Sequence, residues 1–259
     1  MSLVTTSSAG AVLTIELNRP EARNALSLEL CDAIGQALDR AARHDSARVI
    51  VLRGAGPVFC SGADFAAVSG PEGVDFLPAF ERMLEAVASH RLPTIARIQG
   101  AALGGGLQLA TVCDFRVANS DARLGIPSSR LGVVVNLENV ERLVELVGIV
   151  RAKEVLMTGR TFSGDDALRA GLVSEVCAPH ELERATERMA LAIAALAPLS
   201  VQGAKRAIRA IVDDRSVRKH DPEAALEVDA LVAEAYASDD LGEGIRAMTE
   251  KRPPDFKGS

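Results

Sequence analysis

Apolar positions in the first half of the chain follow two periods. Ala11 to Leu17 alternates apolar and polar residues as a half-buried strand does, and Asn18-Arg19-Pro20 breaks the pattern. Ser27 stands at a helix N-cap position with Glu29 in the first turn, and Leu30, Ile34 and Leu38 then recur at four-residue spacing. The spacing predicts an amphipathic helix over Leu28 to Arg43. Arg48 to Leu52 reads as a buried strand, Gly54 to Gly56 as a turn, and Val58 to Cys60 as a short strand ending in the loop Ser61-Gly62-Ala63. A second helix is predicted over Pro78 to Ser89. Pro93 to Ile98 is another apolar strand, which runs through Gln99-Gly100 into Gly104-Gly105-Gly106 and then the apolar stretch Leu107 to Val112. The implied order is strand, glycine turn, helix.

Asp114 to Ala118 and Arg123 to Gly125 read as short strands, and Leu137 to Val147 as a helix. From Gly148 onward helical periodicity dominates, interrupted by one strand-like segment, Leu172 to Val176. Helices are predicted near Glu181 to Leu196, Ser200 to Val212, Pro222 to Ala237 and Asp239 to Glu250, the last stopping at Lys251-Arg252-Pro253-Pro254. The pattern describes an α/β core with an appended helical piece, a division that suits 259 residues.

Composition narrows the function classes. Hydrophobic residues make up 48% and charged residues 25%, as in a packed globule, and a net charge of −6 gives no reason to expect a polyanionic partner such as nucleic acid. Aromatic residues are only 3% with no Trp, so stacking platforms for bases or sugars are not expected. The four cysteines, Cys31, Cys60, Cys113 and Cys177, form no CxxC pair or Cys/His cluster, so they read as buried free thiols and no metal is expected. Apolar runs are short, and Met1 to Gly10 lacks a basic stretch followed by a hydrophobic one, so a cytoplasmic protein without membrane insertion is expected. His44, His90, His180 and His220 lie in or beside predicted helices away from the glycine loops, which favours surface or packing roles.

The two small-residue loops carry the candidate chemistry. Each follows an apolar strand, and each could present a backbone N–H to one ligand atom. Two such donors converging on a carbonyl oxygen stabilise negative charge there, and losing one can cost about 3 kcal/mol of transition-state stabilisation. Gly104 to Gly106 also opens a helix, whose unpaired N–H groups favour an oxyanion. The triplet has neither the GxGxxG spacing of a dinucleotide fold nor the Lys-Ser/Thr of a P-loop.

Phe59-Cys60-Ser61-Gly62-Ala63-Asp64-Phe65 resembles the FCAGAD signature of the crotonase (enoyl-CoA hydratase/isomerase) family, and Gln99 to Ala110 resembles its second signature. The likeness extends from Leu17-Asn18-Arg19-Pro20 and Asn24-Ala25-Leu26 through Cys113-Asp114, Gly125, Leu131-Gly132, Arg142-Leu143 and Thr158-Gly159 to Glu250-Lys251-Arg252 and Phe256. It implies an α/β spiral of ββα turns over 1–197. It also implies a helical region over 198–259 that assembles a homotrimer, or a hexamer as a dimer of trimers. By resemblance the Ala63 and Gly105 N–H groups form the oxyanion hole for an acyl-CoA thioester, beside Gly62 and Gly104. Coenzyme A lies along Arg23, Ala25, Gly62, Asp64 and Phe65, and Lys251 reaches its 3′-phosphate. No separate cofactor is implied, coenzyme A being part of the ligand.

The resemblance also exposes two departures. Family hydratases place one glutamate on the helix after the Gly triplet and a second about twenty residues on; those positions are Gln108 and Ser128 here. An amide does not titrate near neutral pH and a hydroxyl without a partner is a poor acid or base. Where hydratases carry a Pro-Gly-rich loop, this chain has Val133-Val134-Val135-Asn136-Leu137-Glu138-Asn139, with Val133 to Val135 offering an apolar wall. Asn136 and Glu138 are reserve candidates for chemistry, Glu138 being equally suited to a helix N-terminus. Asp64 could touch ligand or cap the next helix.

Gly106-Leu107-Gln108-Leu109-Ala110, Leu196-Ala197-Pro198-Leu199, Ala204-Lys205-Arg206 and the Glu250 to Pro254 tail resemble a mycobacterial-type paralogue of the family. That likeness implies a protein that binds long acyl-CoA esters in lipid and mycolic-acid metabolism without hydrating them. The sequence reading is therefore a fatty acyl-CoA or enoyl-CoA binding protein with little or no hydratase activity. The alternative is an active enoyl-CoA hydratase, or an isomerase that uses Glu138.

Overall fold

In the computed structural model, which describes residues 2–64 and 73–256, β1 (Val4–Ala9) pairs antiparallel with β2 (Val12–Leu17). The sheet then continues in parallel through β3 (Val49–Gly54), β4 (Thr94–Ile98), β6 (Phe115–Asn119) and β8 (Glu175–Cys177). Both faces of the middle strands are covered, so β3 opens with the apolar run Val49 to Leu52, in which Val49, Ile50 and Leu52 are fully buried. β1 went unforeseen because five of its six residues are exposed and carry no alternation to read. Pairing to β2 alone makes it a strand.

A second, smaller ladder runs beside the first and explains the short strand signals. It consists of the parallel bridges Leu26 to Ala63 and Cys60 to Ala102, the pair β5 (Ala101–Leu103) with β7 (Arg123–Gly125), and the antiparallel bridge Leu124 to Phe162. The chain repeatedly gives one strand to the large sheet, one short segment to the ladder, and then a helix. This is the ββα repeat expected from the resemblance.

The helices are α1 (Leu28–Ala42), α2 (Gly73–Ala88), α3 (Gly105–Thr111), α4 (Leu137–Met157), α5 (Gly164–Arg169), α6 (Leu182–Ala194), α7 (Pro198–Asp214), α8 (Val217–His220), α9 (Pro222–Ala237) and α10 (Asp239–Glu250). Ser27 caps α1 by accepting from the Leu30 N–H, as its sequence position predicts. α4 runs ten residues past the predicted end at Val147, and Gly148 inside it has a left-handed φ of 73°, which is where helical periodicity fails. Leu172 and Val173, read as strand from their apolarity, are instead buried in the turn after α5, and the strand begins only at Glu175.

Two compact units result: Met1–Leu124 with Phe162–Arg209, and Gly125–Thr161 with Ala210–Ser259. In the first, α6 covers one face of the sheet, with Leu182, Ala185 and Ala190 packed on Val49, Val51, Ile95 and Val117. Among the described residues, no helix is long and apolar enough to cross a membrane.

Candidate functional site

The first small-residue loop is held from two sides. Leu26 donates its N–H to the Gly62 carbonyl, and Asp64 donates its N–H to the Leu26 carbonyl, each at 2.8 Å. In such a parallel bridge the intervening residue directs its own N–H to the opposite edge. Ala63 is that residue, and among the described residues its N–H is donated to no protein acceptor. Gly62 must be glycine, because its φ is +112° and a Cβ there would stand 2.9 Å from the Leu103 carbonyl oxygen.

Sequence reasoning missed the two side chains that anchor this loop. Asn24 is fully buried; its amide donates to the Ala55 and Val58 carbonyls at 2.9 Å, and its Oδ1 accepts from the Arg19 N–H at 3.0 Å. Arg23 and Asn24 are consecutive non-glycine residues with φ of 53° and 54°, a costly backbone that this bonding over-determines. Arg19 Nη1 pairs with Asp64 Oδ2 at 2.6 Å and donates to the Ala25 carbonyl. Asp64 is thus tied back to the preceding loop. The signal was present in the Asn-Arg-Pro and Asn-Ala-Leu motifs, but their partners lie far along the chain. Phe65 lies outside the described residues.

The second loop meets the first through glycine. Gly104 has φ 52° and ψ −123°, a conformation reserved for glycine. A Cβ on Gly62 would be 3.7 Å from the Gly105 nitrogen, and one on Gly104 would be 3.8 Å from the Gly62 Cα, so the two loops are in van der Waals contact. Gly106 lies tighter still, since a Cβ there would be 2.5 Å from the Cys60 carbonyl oxygen. Gly105 begins α3. The Gly104 carbonyl takes the N–H groups of Leu107 and Gln108, and the Gly105 N–H, at the first position of the helix, has no protein acceptor among the described residues. α3 has only seven residues, so the local N–H matters more here than a summed dipole. Beside Gly105 stand Leu26 and Phe80, each 3.3 Å from where its Cβ would be, and Phe80 stacks on Phe76. The surroundings of this amide are apolar.

Gln108 follows Gly105 by one turn of α3. It is half-buried, and among the described residues its side chain has no hydrogen-bond partner. Cys60 behind the loops is fully buried, and burial pushes its thiol up to about 12, which leaves no nucleophile there. Cys31 and Cys113 are held likewise, whereas Cys177 is only partly covered.

On the second unit, Ser128 is half-buried in a short 3₁₀ turn, and Val133 bonds its N–H back to the Ser128 carbonyl. Asn136 caps α4, its Oδ1 accepting from the Asn139 N–H and side-chain amide. The Glu138 carboxylate pairs with Arg218 at 2.5 Å, and Arg218 is also held bidentately by Asp229 at 2.9 Å. Lys251 is exposed and ends α10 in a left-handed conformation.

Both loops fall within one family profile, that of Enoyl-CoA hydratase/isomerase, which matches residues 7–259. The chain belongs to this family. Among relatives, a "Probable enoyl-CoA hydratase echA6" of Mycobacterium leprae is 38% identical over 255 residues, covering 97% of this chain and 98% of its own. A "Probable enoyl-CoA hydratase" of Bacillus subtilis is 37% identical over 253 residues, 96% and 95% of the two chains. A solved methylmalonyl-CoA decarboxylase in complex with 2-nitronate-propionyl-CoA matches with a TM-score of 0.89 at 27% identity, over 99% of each chain. An enoyl-CoA hydratase/isomerase from Pseudoalteromonas atlantica matches at 0.85 with 30% identity, over 98% of this chain and all of the other. The fold is therefore the crotonase fold, with its helical C-terminal region.

Proposed function

We propose that this crotonase-family protein binds fatty acyl-CoA and enoyl-CoA thioesters at the Ala63 and Gly105 amides, with little or no hydration of them. The carrying observation is an unpartnered amide, Gln108, one turn after Gly105 on α3, where a hydratase needs a carboxylate. Ser128 stands where the second carboxylate is expected. Hydration needs one group to take a proton from water and one to deliver a proton to the acyl α-carbon. Such help is worth roughly 10²–10⁴-fold, and an amide with a hydroxyl supplies neither transfer. What is retained can polarise and hold a thioester.

In this reading coenzyme A follows Arg23, Ala25, Gly62 and Asp64. The ligand brings its own coenzyme, so no cofactor or metal is needed. Residues 198–259 assemble trimers or hexamers, and the protein works in the cytoplasm on fatty-acid precursors such as those of mycolic acids. The alternative, hydration or isomerisation with Glu138 as base, requires a carboxylate withdrawn from Arg218.

Steady-state assays on crotonyl-CoA and longer 2-enoyl-CoA esters, run beside a binding titration with the same esters, test the reading. Tight binding with negligible turnover is expected, and the pair Gln108→Glu with Ser128→Glu should raise kcat/KM for hydration by about tenfold or more. Rapid turnover by the unaltered protein would overturn the proposal.

A further inference from the structure

We propose that Arg116 is a positioning residue for the thioester site, setting where the Gly105 amide stands by gripping the opposite end of α3. The inference rests on the thioester reading above.

Arg116 lies on β6, in register between β4 and β8, and is only 5% exposed. Its Nη1 donates to the carbonyls of Ala110 at 3.2 Å and Cys113 at 2.5 Å, with a longer contact to Thr111 at 3.4 Å, and its Nε donates to Leu172 at 3.0 Å. Among the described residues it has no carboxylate partner within ion-pair distance. A buried guanidinium met only by carbonyls is expensive to keep, and burial pulls its pKa below the usual value. What it accomplishes is specific. The last carbonyls of a helix have no intrahelical donors and form its negative end, and here one cation from β6 reaches those of Ala110 and Thr111 in the last turn of α3 and that of Cys113 just beyond it.

α3 spans seven residues, about 10 Å at 1.5 Å per residue. Its start rests against the Cys60 backbone at Gly106, and its last turn is fastened to Arg116 through the Ala110 carbonyl, so its axial position is fixed at two points. A helix this short has little cooperativity of its own to hold it. Slackening the C-terminal fastening lets it slide or rotate, which carries the Gly105 N–H away from the oxygen it serves. Misplacement by about 1 Å is enough to lose most of such an effect.

The test compares two probes, a fatty acyl-CoA thioester and the S-alkyl-CoA thioether of equal chain length, which lacks the carbonyl. Their affinity ratio isolates the amide pair from chain and nucleotide binding. The unaltered protein should prefer the thioester by at least about tenfold. Arg116→Lys and Arg116→Met should each bring the ratio close to one while thioether affinity changes about twofold or less. Lysine keeps the charge and much of the length but lacks the planar fork; it carries the test if the methionine variant does not fold. Val49→Ala, a core truncation that also lowers the melting temperature, should keep the ratio. Retention of the preference in the Arg116 variants, or its equal loss in Val49→Ala, would overturn the positioning role and leave the thioester reading intact. No preference in the unaltered protein would overturn both.

Discussion

At the residue scale, the proposed chemistry resides in backbone N–H groups whose exposure depends on absent side chains. Gly105 and Gly106 are adjacent but under different constraints. A methyl on Gly106 would meet the backbone oxygen of Cys60 at 2.5 Å and its Cβ at 2.8 Å, neither of which can swing aside, whereas on Gly105 it would meet only the side-chain tips of Leu26 and Phe80 at 3.3 Å. Gly106→Ala is accordingly expected to lower the melting temperature sharply and to weaken acyl-CoA binding at least about tenfold. Gly105→Ala should cost less than about 1.5 kcal/mol in a denaturant titration; equal damage from both would contradict this account of the loop. The glycine loops were legible in the sequence because each is a local motif. Asn24, Arg19 and Arg116 were not, since each also bonds a group more than thirty residues away, at Ala55 and Val58, Asp64 and Leu172 respectively.

At the element scale, periodicity located most helices and central strands because their cores are one-sided or wholly buried. It failed for the exposed edge strand β1, and the short α5 depends also on its cap: Ser163 Oγ accepts from the Asp166 N–H, and Gly164 lies against the Ser120 backbone. The start of α4 matters most for function. Asn136 and Glu138, the reserve candidates for chemistry, are engaged there as a helix cap and as the partner of Arg218. Glu138→Gln should therefore leave any residual turnover of enoyl-CoA unchanged within about twofold, while Asn136→Ala should cost about 1 kcal/mol of stability through the lost cap. A collapse of turnover in Glu138→Gln would instead favour the isomerase reading.

At the scale of the whole molecule, family membership and fold agree, and one buried histidine gives stability a definite pH dependence. His90 Nδ1 accepts from the Leu92 N–H and its Nε2 faces the Leu38 carbonyl, an arrangement that suits the neutral ring. Burial lowers its pKa, aided by the charges of Lys205 and Arg91. The unfolded chain thus takes up this proton at a higher pH than the folded one. Stability is complete above about 6.5 and declines as pH falls below it, by up to about 1.4 kcal/mol per pH unit for this one group. Melting curves between pH 7.5 and 5 should show that decline, and His90→Gln should flatten it. The central claim, that two main-chain amides grip one thioester oxygen, is tested most directly by the infrared stretch of a ¹³C-labelled thioester carbonyl in bound acyl-CoA. A shift to lower frequency than in water is expected; a carbonyl that moves to higher frequency on binding, as in an apolar pocket without donors, would contradict it.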